Sequence, residues 1–139
     1  MTKDPDRVPP VRASAEESAE TFASLRKILA VHAKGLKVTA DGPKGYSLNT
    51  PYSEAWKKEL FFGGVQVMKN YVSFHLFPVY MFPDLLDGIS GELKARMQGK
   101  SCFNFRAPDA VLFRELAAIG APAQDIGGFN TAAYFHLFT

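Results

Sequence analysis

Among the side chains of this sequence that could do chemistry, spacing groups Tyr71, His75, Cys102, Asn104 and Arg106. Residues 70–77 and 101–106 both read as strands. Side chains alternate between faces along a strand, so Tyr71, Ser73 and His75 share one face of the first, and Cys102, Asn104 and Arg106 share one face of the second. If the strands are neighbours, Tyr71, His75, Asn104 and Arg106 form a polar pocket for a small anion. Arg106 would supply a planar, charged hydrogen-bonding fork. The plainer alternative is a half-buried histidine bonded to backbone, with Arg106 in solvent. Cys102 and His75 could also be a nucleophile and its base, but no third group or oxyanion donor is recognisable beside them. His32, His75 and His136 lack the spacing of a metal site. The sequence contains no P-loop, dinucleotide-binding, nucleophile-elbow or zinc-protease motif. These residue types point to a binding module before an enzyme.

A second pattern is Lys57-Lys58 followed by Phe61-Phe62, the order of charge and ring found in single-strand nucleic-acid platforms. The simpler expectation is that both phenylalanines are core and the lysines a solvated edge. Charge argues the same way. Residues 41–139 carry nine basic side chains, from Lys44 to Arg114, and nine acidic ones, from Asp41 to Asp125. A nucleic-acid partner is therefore not expected, because displacing counterions takes a basic excess. The longest apolar run, Tyr71 to Phe82, holds Ser73, His75 and Pro78 and is far short of the roughly 20 residues that span a bilayer, so no membrane partner is expected. Cys102 is the one cysteine, so no internal disulfide can form. Met1 to Arg12 is polar and lacks a signal peptide's apolar stretch. Together these lead to an expected cytoplasmic location.

The elements that must position these side chains follow from periodicity and punctuation. Ser14 and Glu17 make a capping box, and Phe22, Leu25, Leu29 and Ala33 recur at helical spacing, predicting a helix over 14–34 closed by Gly35 in a left-handed cap. Residues 36–40 and 46–50 read as strands around the turn 41–45. Residues 59–68 and 70–77 read as a hairpin turning at Lys69-Asn70, where asparagine tolerates positive φ. Gly63-Gly64 inside it signals a bulge or a close backbone approach. Residues 83–86 read as a short helical turn. Ser90 caps a helix to Gln98 with a Glu92–Arg96 pair, and Gly99 closes it. A strand over 101–106 precedes a helix capped by Asp109, with Leu112, Phe113, Leu116 and Ala117 as its stripe, ended by Gly120 and Pro122. One helix, consecutive strands, then helices predicts an α+β fold: an antiparallel sheet with helices packed on one side.

The stretches Glu59 to Phe62, Lys69 to Leu76, Pro78 to Met81 and Met97 to Phe105 resemble the YdhG-like family, a bacterial domain of unknown function. The resemblance implies a curved antiparallel sheet, and it implies iron as a possible ligand, since the family includes a frataxin-like intracellular iron chaperone. Iron needs clustered hard oxygen ligands. The candidates are Glu16, Glu17 and Glu20, although carboxylates there also complement the helix dipole. The expected organisation is an N-terminal arm over 1–13, the α+β domain over 14–119 and an apolar tail over 120–139. That tail, rich in aromatic residues from Phe129 to Phe138, must pack on the domain or on a second copy as a homodimer. The expected function is a binding domain for a small anion, with iron chaperoning and homodimeric interaction as alternatives.

Overall fold

Ser14 opens the first helix as its residue types dictate. Its hydroxyl accepts the Glu17 N–H at 3.0 Å, and the Glu17 carboxylate accepts the Ser14 N–H at 3.1 Å. The computed structural model describes residues 14–52 and 57–126, with side chains to residue 120. The arm 1–13 and residues 127–139 of the expected tail lie outside the described residues. Helix α1 runs Ala15–Ala30 and buries Phe22, Leu25 and Leu29. It stops short of the expected end at 34. The His32 N–H donates to the Leu29 carbonyl, three residues back, and a 3-10 turn follows at Ala33–Gly35. Gly35 is not left-handed. This tightening turns His32 inward, where its ring meets Phe62 at 5.7 Å.

The strands are β1 Lys37–Gly42, β2 Gly45–Asn49, β3 Phe61–Val67, β4 Val72–Leu76 and β5 Cys102–Phe105. They form one sheet in the order β1-β2-β3-β4-β5, each neighbouring pair antiparallel. With the helices on one face, the fold is α+β, as the order of elements predicts. The rungs Tyr46–Val65–Phe74–Phe103 and Val67–Val72–Phe105 line the covered face. Gly63 lets α1 come close: a Cβ there would meet the His75 carbonyl at 2.9 Å and Leu29 Cδ2 at 3.0 Å. The β3–β4 connection is Met68–Tyr71, closed by the Met68 N–H on the Tyr71 carbonyl at 2.8 Å. Asn70 needs no positive φ there.

The register between β2 and β3 shifts between Leu48 and Asn49: Leu48 pairs with Gly63, and Asn49 pairs with Phe61. Phe62 is thus the extra residue of a β-bulge, which re-aims the side chains around it. Phe62 enters the core at 0% exposure, while Phe61 stays on the opposite face at 38%. The expectation that both rings are core holds for Phe62 and fails for Phe61.

Ser90 caps a shorter helix than expected, α3 at Gly91–Lys94. Residues 96–98 leave helical geometry to cover the outer edge of β5. Gln98 N–H donates to the Cys102 carbonyl and Asn104 N–H to the Arg96 carbonyl, both at 2.9 Å. Arg96 lies over the Phe105 ring, its guanidinium carbon 5.8 Å from the ring centre. Between β4 and α3 come helix α2, Phe77–Met81, and a 3-10 turn, Pro83–Leu86. Asp109 caps the last helix, α4 Ala110–Ile126, through the Leu112 N–H at 3.1 Å. The expected stop at Gly120 and Pro122 is overridden, since α4 runs on to Ile126. Gly120 serves instead as the contact point of α4 with His32, whose Nε2 would lie 2.6 Å from an added Cβ. Glu115 on α4 accepts both the Ser90 N–H (2.8 Å) and its hydroxyl (2.7 Å), tying the turn before α3 to this helix.

Candidate functional site

The β4–β5 register sets what the expected site residues can do. His75 faces Cys102, and Ser73 faces Asn104. On the β3 side, His75 faces Gly64 and Ser73 faces Gln66. Strand alternation extends that open face to Tyr71 and Arg106 beyond the last rung, so Tyr71, His75, Asn104 and Arg106 share a face. Two of the four, Asn104 and His75, meet other partners. The Asn104 amide donates to Gln98 Oε1 at 2.7 Å, and its oxygen accepts the Cys102 thiol at 3.4 Å. His75 meets the edge of the Phe61 ring at 6.4 Å. His75 and Asn104 are offset by one same-face position along the ladder, a diagonal of roughly 7–8 Å.

Titration behaviour separates this face from a nucleophilic centre. Burial pushes the Cys102 thiol above its ordinary pKa. Partial desolvation beside Phe61 lowers the His75 imidazole, although the side chain reaches solvent. Near neutrality the cross-strand pair is therefore thiol and neutral imidazole. A reactive cysteine needs the thiolate. Glu16, Glu17 and Glu20 are exposed on α1, and Glu17 is engaged in the capping box. Among the described residues no three His, Cys, Asp or Glu side chains come together as metal ligands. No described helix is long and apolar enough to cross a membrane.

The bulge that expels Phe61 starts a row of rings leading off the sheet. Phe61 meets Phe77 at 6.5 Å, and Phe77 stacks on Tyr80 at 5.8 Å with only 7° between planes. Lys100 Nζ lies 6.0 Å from the Tyr80 ring centre, at the outer limit of a cation–π contact. Past Tyr80 the surface opens into a pocket of about 480 Å³ between α2, the 3-10 turn after it and the turn that precedes β5. Its walls are Val79, Pro83, Leu86 and Met97, with Tyr80 and Lys100 also lining it. Gly99 supplies the left-handed residue (φ +81°) that the turn needs just before Lys100. Two other hollows are smaller: about 420 Å³ beside Ser18, Lys44 and Lys69, and about 280 Å³ beside Gly88 and Glu115.

None of the four expected ligand residues lines any of these three hollows. Sequence reasoning did not single out Tyr80, Met97 or Lys100, which line the pocket of about 480 Å³. The available signal was the pair of prolines, Pro78 and Pro83, bracketing a short apolar segment, with Gly99-Lys100 far along the chain. Comparison with protein-family models, curated proteins and solved structures finds no match for this chain.

Proposed function

We propose that this domain is a binding module for a small organic ligand, held in the pocket between α2 and the turn at 97–100. The observation that carries the reading is the pocket itself. Its volume, about 480 Å³, lies within the range of small-molecule sites, and its lining is mostly apolar with few polar groups. The expected small-ligand role is thereby kept, with its location moved from the sheet face to the corner beside it. A non-catalytic role is supported by the protonated Cys102 thiol and by an open-face His75 whose neighbours are a ring, a glycine and that thiol. Membership of the YdhG-like family remains a proposal resting on the stretches quoted above, as does a cytoplasmic location, which rests on the single cysteine. Iron handling draws no support from Glu16, Glu17 and Glu20, which do not come together as a metal-ligand group.

Methyl-labelled methionine offers a direct test, because Met97 lines this pocket and Met68 lines a different hollow. Titrating the full chain with 1-octanol and with octanoate is expected to shift the Met97 methyl resonance saturably with at least one of them. The Met68 resonance is expected to stay in place. Failure of both probes to move Met97, or equal movement of Met68, would count against the pocket as the binding site.

A further inference from the structure

Resting on that reading, we infer that the ligand is an aliphatic monocarboxylate, its chain among Val79, Pro83, Leu86 and Met97 and its carboxylate on Lys100. Charge fixes the head group. Lys100 is the one charged side chain among the residues lining the pocket, and no carboxylate lines it. Asp84, on the adjoining 3-10 turn, is exposed and is not part of the lining. A cationic ligand would meet like charge without compensation, and a dianion would have one charge with no partner. Among the described residues Lys100 forms no ion pair, unlike Lys37 and Arg26, which are held by Glu59 and Asp41. Its tether is the distant contact with the Tyr80 ring, which keeps the ammonium beside the pocket and yields readily to a carboxylate. The Tyr80 phenol lines the same pocket and brings a second hydrogen-bond donor.

The walls fix the body of the ligand. Tyr80 is the one ring among the lining residues. Phe77 already stacks on that ring, and no other ring lines the pocket for a planar aromatic ligand to stack on. What remains is aliphatic: a valine, a leucine, a proline and the flexible thioether of Met97, which adapts to irregular chains. An unbranched hydrocarbon tail suits such walls, and a charged head on Lys100 sets its direction.

The experiment compares octanoate, 1-octanol, octylammonium and benzoate on the full-length chain, with the Met97 methyl resonance as the readout. Octanoate is expected to bind about tenfold more tightly than 1-octanol, the scale of one charge-assisted hydrogen bond at a partly exposed site. Octylammonium and benzoate are expected to be weaker still. Lys100→Gln should erase the preference for octanoate and leave 1-octanol unchanged. Lys100→Arg should restore the preference and so separate lost charge from lost folding. Equal affinity for octanoate and 1-octanol in the unaltered protein overturns the inference while the pocket reading survives. Benzoate binding as tightly as octanoate overturns the aliphatic part, and no Met97 response to any probe overturns both readings together.

Discussion

The open sheet face and the corner pocket make opposite use of their residues. On the sheet face stand the side chains that look chemical on paper: His75, Cys102 and Asn104, with Tyr71 and Arg106 beyond the last rung. There the register joins Asn104 to Gln98 and Cys102, and sets His75 against a phenylalanine edge and a protonated thiol. The corner is built from residues with little chemical promise, yet it is concave, and its lysine forms no ion pair with any described residue. Asn104 is already engaged by Gln98 and Cys102, so residue type alone is a weak guide to a site. Shape with an uncommitted charge is the better guide.

The two regions meet at the bulge, and the largest predicted effect lies there. Phe62→Ala removes a fully buried ring and is expected to cost about 3–5 kcal/mol of stability, by the scale of large-to-small core substitutions. Phe61→Ala, one residue away, removes a partly exposed ring that covers Gly64 and touches His75 and Phe77. Its expected cost is about 1 kcal/mol, the order of one surface aromatic contact. Urea denaturation of the two variants measures the difference. Equal losses would mean that the bulge does not divide the pair between core and surface.

A smaller effect sharpens the account of the sheet face. The His75 pKa is lowered in the folded protein, so the native state favours neutral imidazole. The unfolded chain then binds the proton more readily, and stability falls as pH drops below the ordinary histidine range. The contribution is present above that range and lost as pH falls through the folded value. Denaturation midpoints at pH 7.5 and pH 5 should therefore differ less in His75→Gln than in the unaltered protein. An unchanged acid dependence in the variant would place the proton uptake elsewhere.

Local rules made much of the fold legible. The Ser14–Glu17 box, the Ser90 and Asp109 caps and the five strands are all written in neighbouring residues. Gly63 announced a close approach, and the structure supplies its cause in Leu29 and the His75 carbonyl. What local rules missed are the places where a distant partner decides. Arg96, Met97 and Gln98 leave the helix that Ser90 starts because the edge of β5 takes their hydrogen bonds. Gly120 does not end α4, because its missing side chain lets the helix meet His32. Phe61 and Phe62 look alike in sequence and part company only through the shifted register with β2. The candidate site fails to show itself for the same reason. Tyr80 and Lys100 come from segments separated by α3, and nothing in either segment announces the hollow between them.

The most direct test sets one region against the other with paired double variants of exposed or partly exposed residues. Octanoate affinity would be measured by calorimetry for His75→Ala with Asn104→Ala on the sheet face, and for Tyr80→Ala with Lys100→Gln at the corner. The account predicts that the first pair stays within about twofold of the unaltered protein and that the second weakens binding by about tenfold or more, the loss of one charged anchor. Loss of binding in the sheet-face variant, with the corner variant unaffected, would contradict it.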